Sequence, residues 1–200
     1  MGIIILKNGK PDYFKEFSDL LLISAPSLFL YLFGSRRKEV VERLFIHPKN
    51  FFSFEHAVFA EIKGEIAGMA LGYSFEQKVR EELHTGLLLA KYLRGDFLKK
   101  LPYLLKAQKT LGKIREGEYY LSNIAVYPEF RGLGLGTKML EEMENRAKML
   151  NCKSIILDVE VENEKAIKLY KKLGYEIVKK SFLFQADGVN FEFFKMKKAL

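Results

Sequence analysis

"YPEFRGLGLGTKMLEEM", residues Tyr127 to Met143, sets glycines at 132, 134 and 136 between an arginine and a run of helix formers. Glycine inside regular structure costs roughly 0.5–1 kcal/mol relative to alanine, so three at alternate positions need a reason. Just upstream, "EYYLSNIAVY" reads as a strand that ends at Pro128, and the downstream helix runs to about Leu150. A strand, a glycine loop and a helix N-terminus in succession make an anion site. The first amides of the helix lack intrahelical partners, and its dipole adds roughly half a positive charge there. Glycines let phosphate oxygens come close to those amides. The spacing is not the G-x-G-x-x-G of a dinucleotide fold. It is not a Walker loop either, because Gly136 is followed by Thr137-Lys138. Taken alone, the stretch reads equally as a tight turn or as a ligand site.

Working outward, residues 3–6 read as a first strand. "PDYFKEFSDLLLISAPSLFLYLF" has apolar residues at helical spacing with Pro11 in a first turn, and "RRKEVVERLF" resumes that pattern. "AVFAEI" and "EIAGMALGYSF" flank Lys63-Gly64 as a β-hairpin. A long helical stretch from Glu76 to Ile114 is expected to break near Gly95 and Pro102. "SIILDVEV" is a strand rich in β-branched residues, and "ENEKAIKLYKKLG" is a helix stopped by Gly174. "YEIVKKSFLF" and "NFEFFKMKK" flank "QADGV", a second hairpin signal. This pattern predicts an α/β fold of the layered α+β kind, with a mixed sheet, in one domain over residues 1–200.

The chain has 200 residues, 48% of them hydrophobic, enough for one sizeable core. Its net charge of +8 suits a polyanionic partner: nucleic acid, acidic membrane or a phosphate-rich ligand. Interspersed Lys and Glu suit a solvated surface equally well, and no aromatic-basic signature backs RNA binding. The single cysteine, Cys152, forbids an internal disulfide and reads as a structural residue. "MGIIILKNGK" has no secretory pattern, Leu6 stands where myristoylation after Gly2 wants Ser or Thr, and no apolar run reaches about 18 residues. A cytoplasmic protein without a membrane partner is expected. His47, His56 and His84 lack metal-site spacing, so no metal is implied.

"NIAVYPEFRGLGLG", then a strand, then "NEKAIKLYKKLGY" resembles the GNAT superfamily of acyl-CoA-dependent N-acyltransferases. Arg131, Gly134 and Gly136 match its Arg/Gln-x-x-Gly-x-Gly/Ala segment in spacing. Asn163, Ala166, Tyr170 and Gly174-Tyr175 match its downstream pattern. The resemblance is sharp over about residues 118–176. It implies a mostly antiparallel central sheet flanked by helices, and acetyl transfer from acetyl-CoA to a primary amine by direct attack on the thioester. The pyrophosphate of coenzyme A would lie on the loop Arg131, Gly132, Leu133, Gly134, Leu135, Gly136 and Thr137. Its pantetheine arm would pair with the backbone of Ile124, Ala125 and Val126, where a bulge opens a gap, and Asn163 would bond it from the other side. Tyr170 is then both a cofactor contact and the proton donor to the departing thiolate.

The acceptor has to lose a proton, since roughly one in 2,500 lysine-like amines is neutral at pH 7. Glu118, thirteen residues before Arg131 where some members of the family it resembles place a catalytic glutamate, is the candidate base, and a water chain held by Ser122 and Asn123 is the alternative. The acceptor itself, a small molecule or a protein amine, is left open by the resemblance. So is a non-catalytic acyl-CoA sensor. Family members usually join the strands before and after residues 76–115 by a short connection; here about forty residues intervene. That helical insertion borders the acceptor site, forms a homodimer contact, or simply packs on the core.

Overall fold

Turn chemistry and alternating apolar residues place the strands of the computed structural model, which describes residues 3–186 and 189–200. Strands β2 (Ala57–Ile62) and β3 (Glu65–Ser74) meet through Lys63 and Gly64 at φ of +51° and +85°, the conformation of a two-residue hairpin turn. β1 (Ile4–Asn8) pairs antiparallel with β2, and β4 (Glu118–Val126) pairs antiparallel with β3. Helix α6 (Leu135–Met149) carries the chain over to β5 (Ser154–Glu160), which runs parallel to β4. β6 (Glu176–Ala186) and β7 (Val189–Ala199) are antiparallel to each other, as the second hairpin signal predicts; Asp187 and Gly188 of its turn lie outside the described residues, as does Gly2. The sheet order is β1-β2-β3-β4-β5-β7-β6, mixed and mostly antiparallel, with β4–β5 its parallel pair among the described residues.

Helices cover both faces. On one side lie α1 (Phe14–Ser24), α2 (Pro26–Phe33) and α3 (Arg37–Phe45). Pro26 separates α1 from α2: it biases Ala25 out of the helical region, to φ −155° and ψ 68°. Their apolar faces bury Phe17, Leu21, Leu44 and Phe45 against Phe59 and Met69 of the sheet, with the Phe17 and Phe45 rings stacked 4.1 Å apart. On the other side α6 and α7 (Glu164–Lys172) bury Met139, Leu140, Met143 and Tyr170 against Val58, Leu121 and Leu157.

The insertion folds as α4 (Phe75–Leu93) and α5 (Phe97–Thr110) around a turn at Arg94–Asp96. Ser74 and Gln77 form a reciprocal capping box at the start of α4. The buried His56 ring nitrogen lies 2.6 Å from Glu81, tying α4 to the start of β2. The break falls at Gly95 as expected. At Pro102 it does not: α5 runs through, giving up one backbone bond while its buried side, Leu104 and Ala107, stays packed. Tyr103 of α5 meets Tyr31 of α2 edge-on at 4.6 Å. No single helix among the described residues is long and apolar enough to cross a membrane.

Candidate active site

β4 and β5 stay together only from Glu118 to Leu121, opposite Ser154 to Leu157. There the register of β4 against β3 slips: Gly72 faces Leu121 but Leu71 faces Asn123, so Ser122 is an extra, bulged residue. Beyond it Asn123–Val126 pair only with β3, and Asp158–Glu160 only with β7. The two strands part, and their facing backbone edges line a cavity of about 680 Å³. That is ample for a cofactor arm and a small acceptor group.

One end of this cavity is the glycine loop. Gly132 and Gly134 both sit at φ +81°, a left-handed conformation that side chains with a Cβ rarely adopt. A Cβ at either would meet nothing within 4 Å. The turn therefore requires the glycines, and it leaves their outer side open to a ligand. Gly134 is the N-cap of α6; the Lys138 amide is the first to bond back, to the Gly134 carbonyl at 3.1 Å. This leaves the amides of Leu135, Gly136 and Thr137 as the open donors of the first turn. Arg131 contributes differently from expectation: its amide donates to the Pro128 carbonyl at 3.3 Å, and its Nε to the Val126 carbonyl at 3.2 Å. Its side chain ties the loop back to β4. Leu133 is absent from the cavity wall and packs with the apolar layer between α6, α7 and the sheet.

Ile124, Ala125 and Val126 line the cavity, as do Asn163 and Tyr170 across it. Asn163 caps α7, its Oδ1 accepting from the Ala166 amide at 3.2 Å, which leaves Nδ2 without a partner among the described residues. Tyr170 is 6% exposed, packs 5.7 Å from the Tyr175 ring, and its hydroxyl makes no hydrogen bond among the described residues. Burial raises its pKa well above the ordinary phenol value, so it stays protonated at neutral pH. Ser122 and Asn123 belong to a short relay: Ser122 Oγ donates to Asn123 Oδ1 and Asn123 Nδ2 to Ser24 Oγ, each at 2.8 Å.

Glu118 is not brought to the cavity. It stands at the start of the paired section of β4 and β5 and is absent from the cavity wall, which takes in Tyr120 and Leu121 from the far end of that section. Its carboxylate accepts from Lys197 Nζ and from the Arg115 amide, both at 2.8 Å. Two acids do line the cavity, and the first is Asp158, the first β5 residue past the paired section. Its side chain is 2% exposed and accepts from the Gly112 amide at 2.9 Å and the Tyr120 hydroxyl at 3.1 Å. Lys195 Nζ lies 3.1 Å from Oδ1 and 3.2 Å from Oδ2, yet Oδ1 accepts no hydrogen bond. Glu160 lines the same wall, its pKa raised by burial and then by Glu162. One sequence signal for Asp158 was available: it is the charged residue inside the apolar run Ile155-Ile156-Leu157-Asp158-Val159. The far wall, from Ile23, Ser24, Ala25 and Leu28 at the α1–α2 junction with Leu111 and Phe193, carried no such signal. No group of three His, Cys, Asp or Glu among the described residues is arranged to hold a metal.

The family model described as "Acetyltransferase (GNAT) family" matches residues 26–175. An N-alpha-acetyltransferase of Sulfurisphaera tokodaii is 37% identical over 92 residues, which are 46% of this chain and 48% of the relative. The chain spans about half the length of the curated relatives it matches. An N-acetyltransferase structure from Staphylococcus aureus superposes with a TM-score of 0.74 at 19% identity, over 97% of this chain and 100% of that one. A Bacillus subtilis acetyltransferase solved in complex with CoA gives a TM-score of 0.56 at 17% identity, over 100% and 99%. These structural likenesses are likenesses of fold.

Proposed function

Because this chain belongs to the acetyltransferase (GNAT) family, we propose that it moves an acetyl group from acetyl-CoA to a primary amine by direct attack of the amine on the thioester. The observation that carries this reading is one continuous path. It runs from the open amides of Leu135, Gly136 and Thr137, along the unpaired edge of Ser122–Val126, to the Tyr170 hydroxyl. Bound acetyl-CoA would supply an activated acyl carbon; the chain supplies the rest. The amides at the start of α6 receive pyrophosphate oxygens with help from the helix dipole. The β4 edge pairs with the amides of the pantetheine arm as it would with an added strand. Tyr170, held protonated by burial, donates to the leaving thiolate.

We further propose that the acceptor is an α-amine, as at a peptide N-terminus. Asp158 is the nearest fit to an amine-handling group: its carboxylate belongs to the cavity wall and is held by Lys195 Nζ at 3.1 Å. A carboxylate is a weak base for a lysine-like ammonium. An α-amine, with a pKa of about 7.7–8.0, is already neutral in roughly one molecule in six to eleven at pH 7. The cavity therefore suits the more acidic of the two amines, and the name of the Sulfurisphaera tokodaii relative supports the same choice. The test offers acetyl-CoA with two peptides, one free at its N-terminus without lysine, the other blocked at its N-terminus with one lysine. Mass spectrometry should find the acetyl group on the first. Acetylation of the second alone would overturn the α-amine assignment, and coenzyme A binding without transfer to either peptide or to small amines would leave a sensor.

A further inference from the structure

Helix α4 buries Glu81, Thr85, Leu88 and Leu93, yet its outer side is not a polar one. Val79, Leu83 and Leu87 are 59%, 76% and 61% exposed and form one ridge at i, i+4 and i+8. Beside that ridge run Gly86 and Ala90, and a Cβ built on Gly86 would meet nothing within 4 Å. Glycine in an exposed helix interior disfavours the helix relative to alanine. Within this chain nothing requires it, whereas a closely approaching surface would. The neighbouring helix extends the patch: the Gln108 side chain of α5 donates to Glu82 of α4, and Leu105, one turn earlier, is 45% exposed. Leu98 at the start of α5 is 76% exposed. None of these residues lines the cavity.

We propose that α4 is the seam of an isologous homodimer, each copy laying its Val79–Leu83–Leu87 ridge into the groove floored by Gly86 and Ala90 of the second copy. Ridges at i±4 packing into grooves is the commonest way two helices meet. A large ridge beside a small groove on one helix is self-complementary under a two-fold axis. The antiparallel arrangement brings Glu76, in the first turn, toward Lys91 in the last turn of the second copy, so the end charges attract. The outward charges of α4, Glu76 and Glu82 against Arg80 and Lys91, are two of each sign. That balance suits a second copy better than an anionic membrane or nucleic acid. A stable interface buries roughly 800 Å² per partner, more than one ridge offers, so Leu98 and Leu105 of α5 belong to the proposed surface.

Sedimentation equilibrium of the full chain across the micromolar range tests this independently of any activity. The parent should sediment as a dimer. Leu83→Glu should sediment as a monomer with unchanged circular dichroism and unchanged coenzyme A affinity. Gly86→Leu should weaken the dimer at least tenfold while raising the thermal midpoint of the monomer, since it improves helix propensity. Mixing Leu83→Cys chains with Gly86→Cys chains should give a disulfide-linked pair faster than either variant alone. A monomeric parent, or a Leu83→Glu variant that remains a dimer, would overturn the proposal.

Discussion

At the scale of single residues the proposed chemistry rests on a buried phenol and a buried carboxylate. Tyr170→Phe removes only the hydroxyl, so the packing against Tyr175 survives. Turnover should fall by roughly 10²-fold with acetyl-CoA affinity nearly unchanged, in steady-state kinetics paired with calorimetry. Asp158→Asn keeps the shape but removes the charge, leaving Lys195 Nζ with the Lys113 carbonyl and no carboxylate. We expect kcat/KM for the amine to drop by roughly ten- to a hundredfold, while affinity for coenzyme A holds. Glu160 gives a prediction in pH. Burial raises its pKa, so the folded chain holds that proton more tightly than the unfolded one. Its ionisation therefore opposes folding above the raised value, and stability is regained as pH falls through it. Glu160→Gln should raise the thermal midpoint at neutral pH and leave it unchanged below the ordinary carboxylate range, as read by calorimetry at the two pH values. Tyr170 was legible because it stands at a fixed distance from Asn163 along one helix. Glu118, chosen because some family members carry a glutamate at that place on the strand, falls outside the cavity wall. Where that strand loses its neighbour is set by a bulge at Ser122 that no local pattern marks.

At the scale of elements, the glycine loop and helix α6 act as one unit, the loop supplying the turn and the helix its open amides. Gly134→Val places a branched side chain at φ +81° and fills the space in front of those amides. Acetyl-CoA affinity should fall at least tenfold in calorimetry, with circular dichroism showing the helices intact. Gly134→Ala should fall between parent and Val. Such units read well from sequence when their signals are local: the Lys63-Gly64 turn, the Pro128 strand end, the Gly95 break. Pro102 read as a break because its effect on the ladder is local, whereas the packing that keeps α5 one helix through it comes from α2 and the sheet.

At the scale of the whole molecule, the site is a place where the sheet comes apart. Its walls come from residues far apart in sequence, as the bond between Asn123 and Ser24 shows. The loop, the β4 stretch Ser122–Val126 and the α7 face could be read in advance; the α1–α2 junction, Phe193 and Asp158 reach the cavity through the strand order. The insertion divides its duties by helix. The end of α5 reaches the site, with Leu111 in the wall and the Gly112 amide on Asp158, while the outer face of α4 points elsewhere. The central claim, that the cleft between β4 and β5 holds acetyl-CoA, is tested most directly by a crystal structure of the chain with coenzyme A. Pyrophosphate oxygens should lie on the Leu135, Gly136 and Thr137 amides, the pantetheine arm should pair with Ser122–Val126, and the sulfur should come within hydrogen-bond reach of the Tyr170 hydroxyl. Coenzyme A seated elsewhere, or with its sulfur turned away from Tyr170, would contradict it.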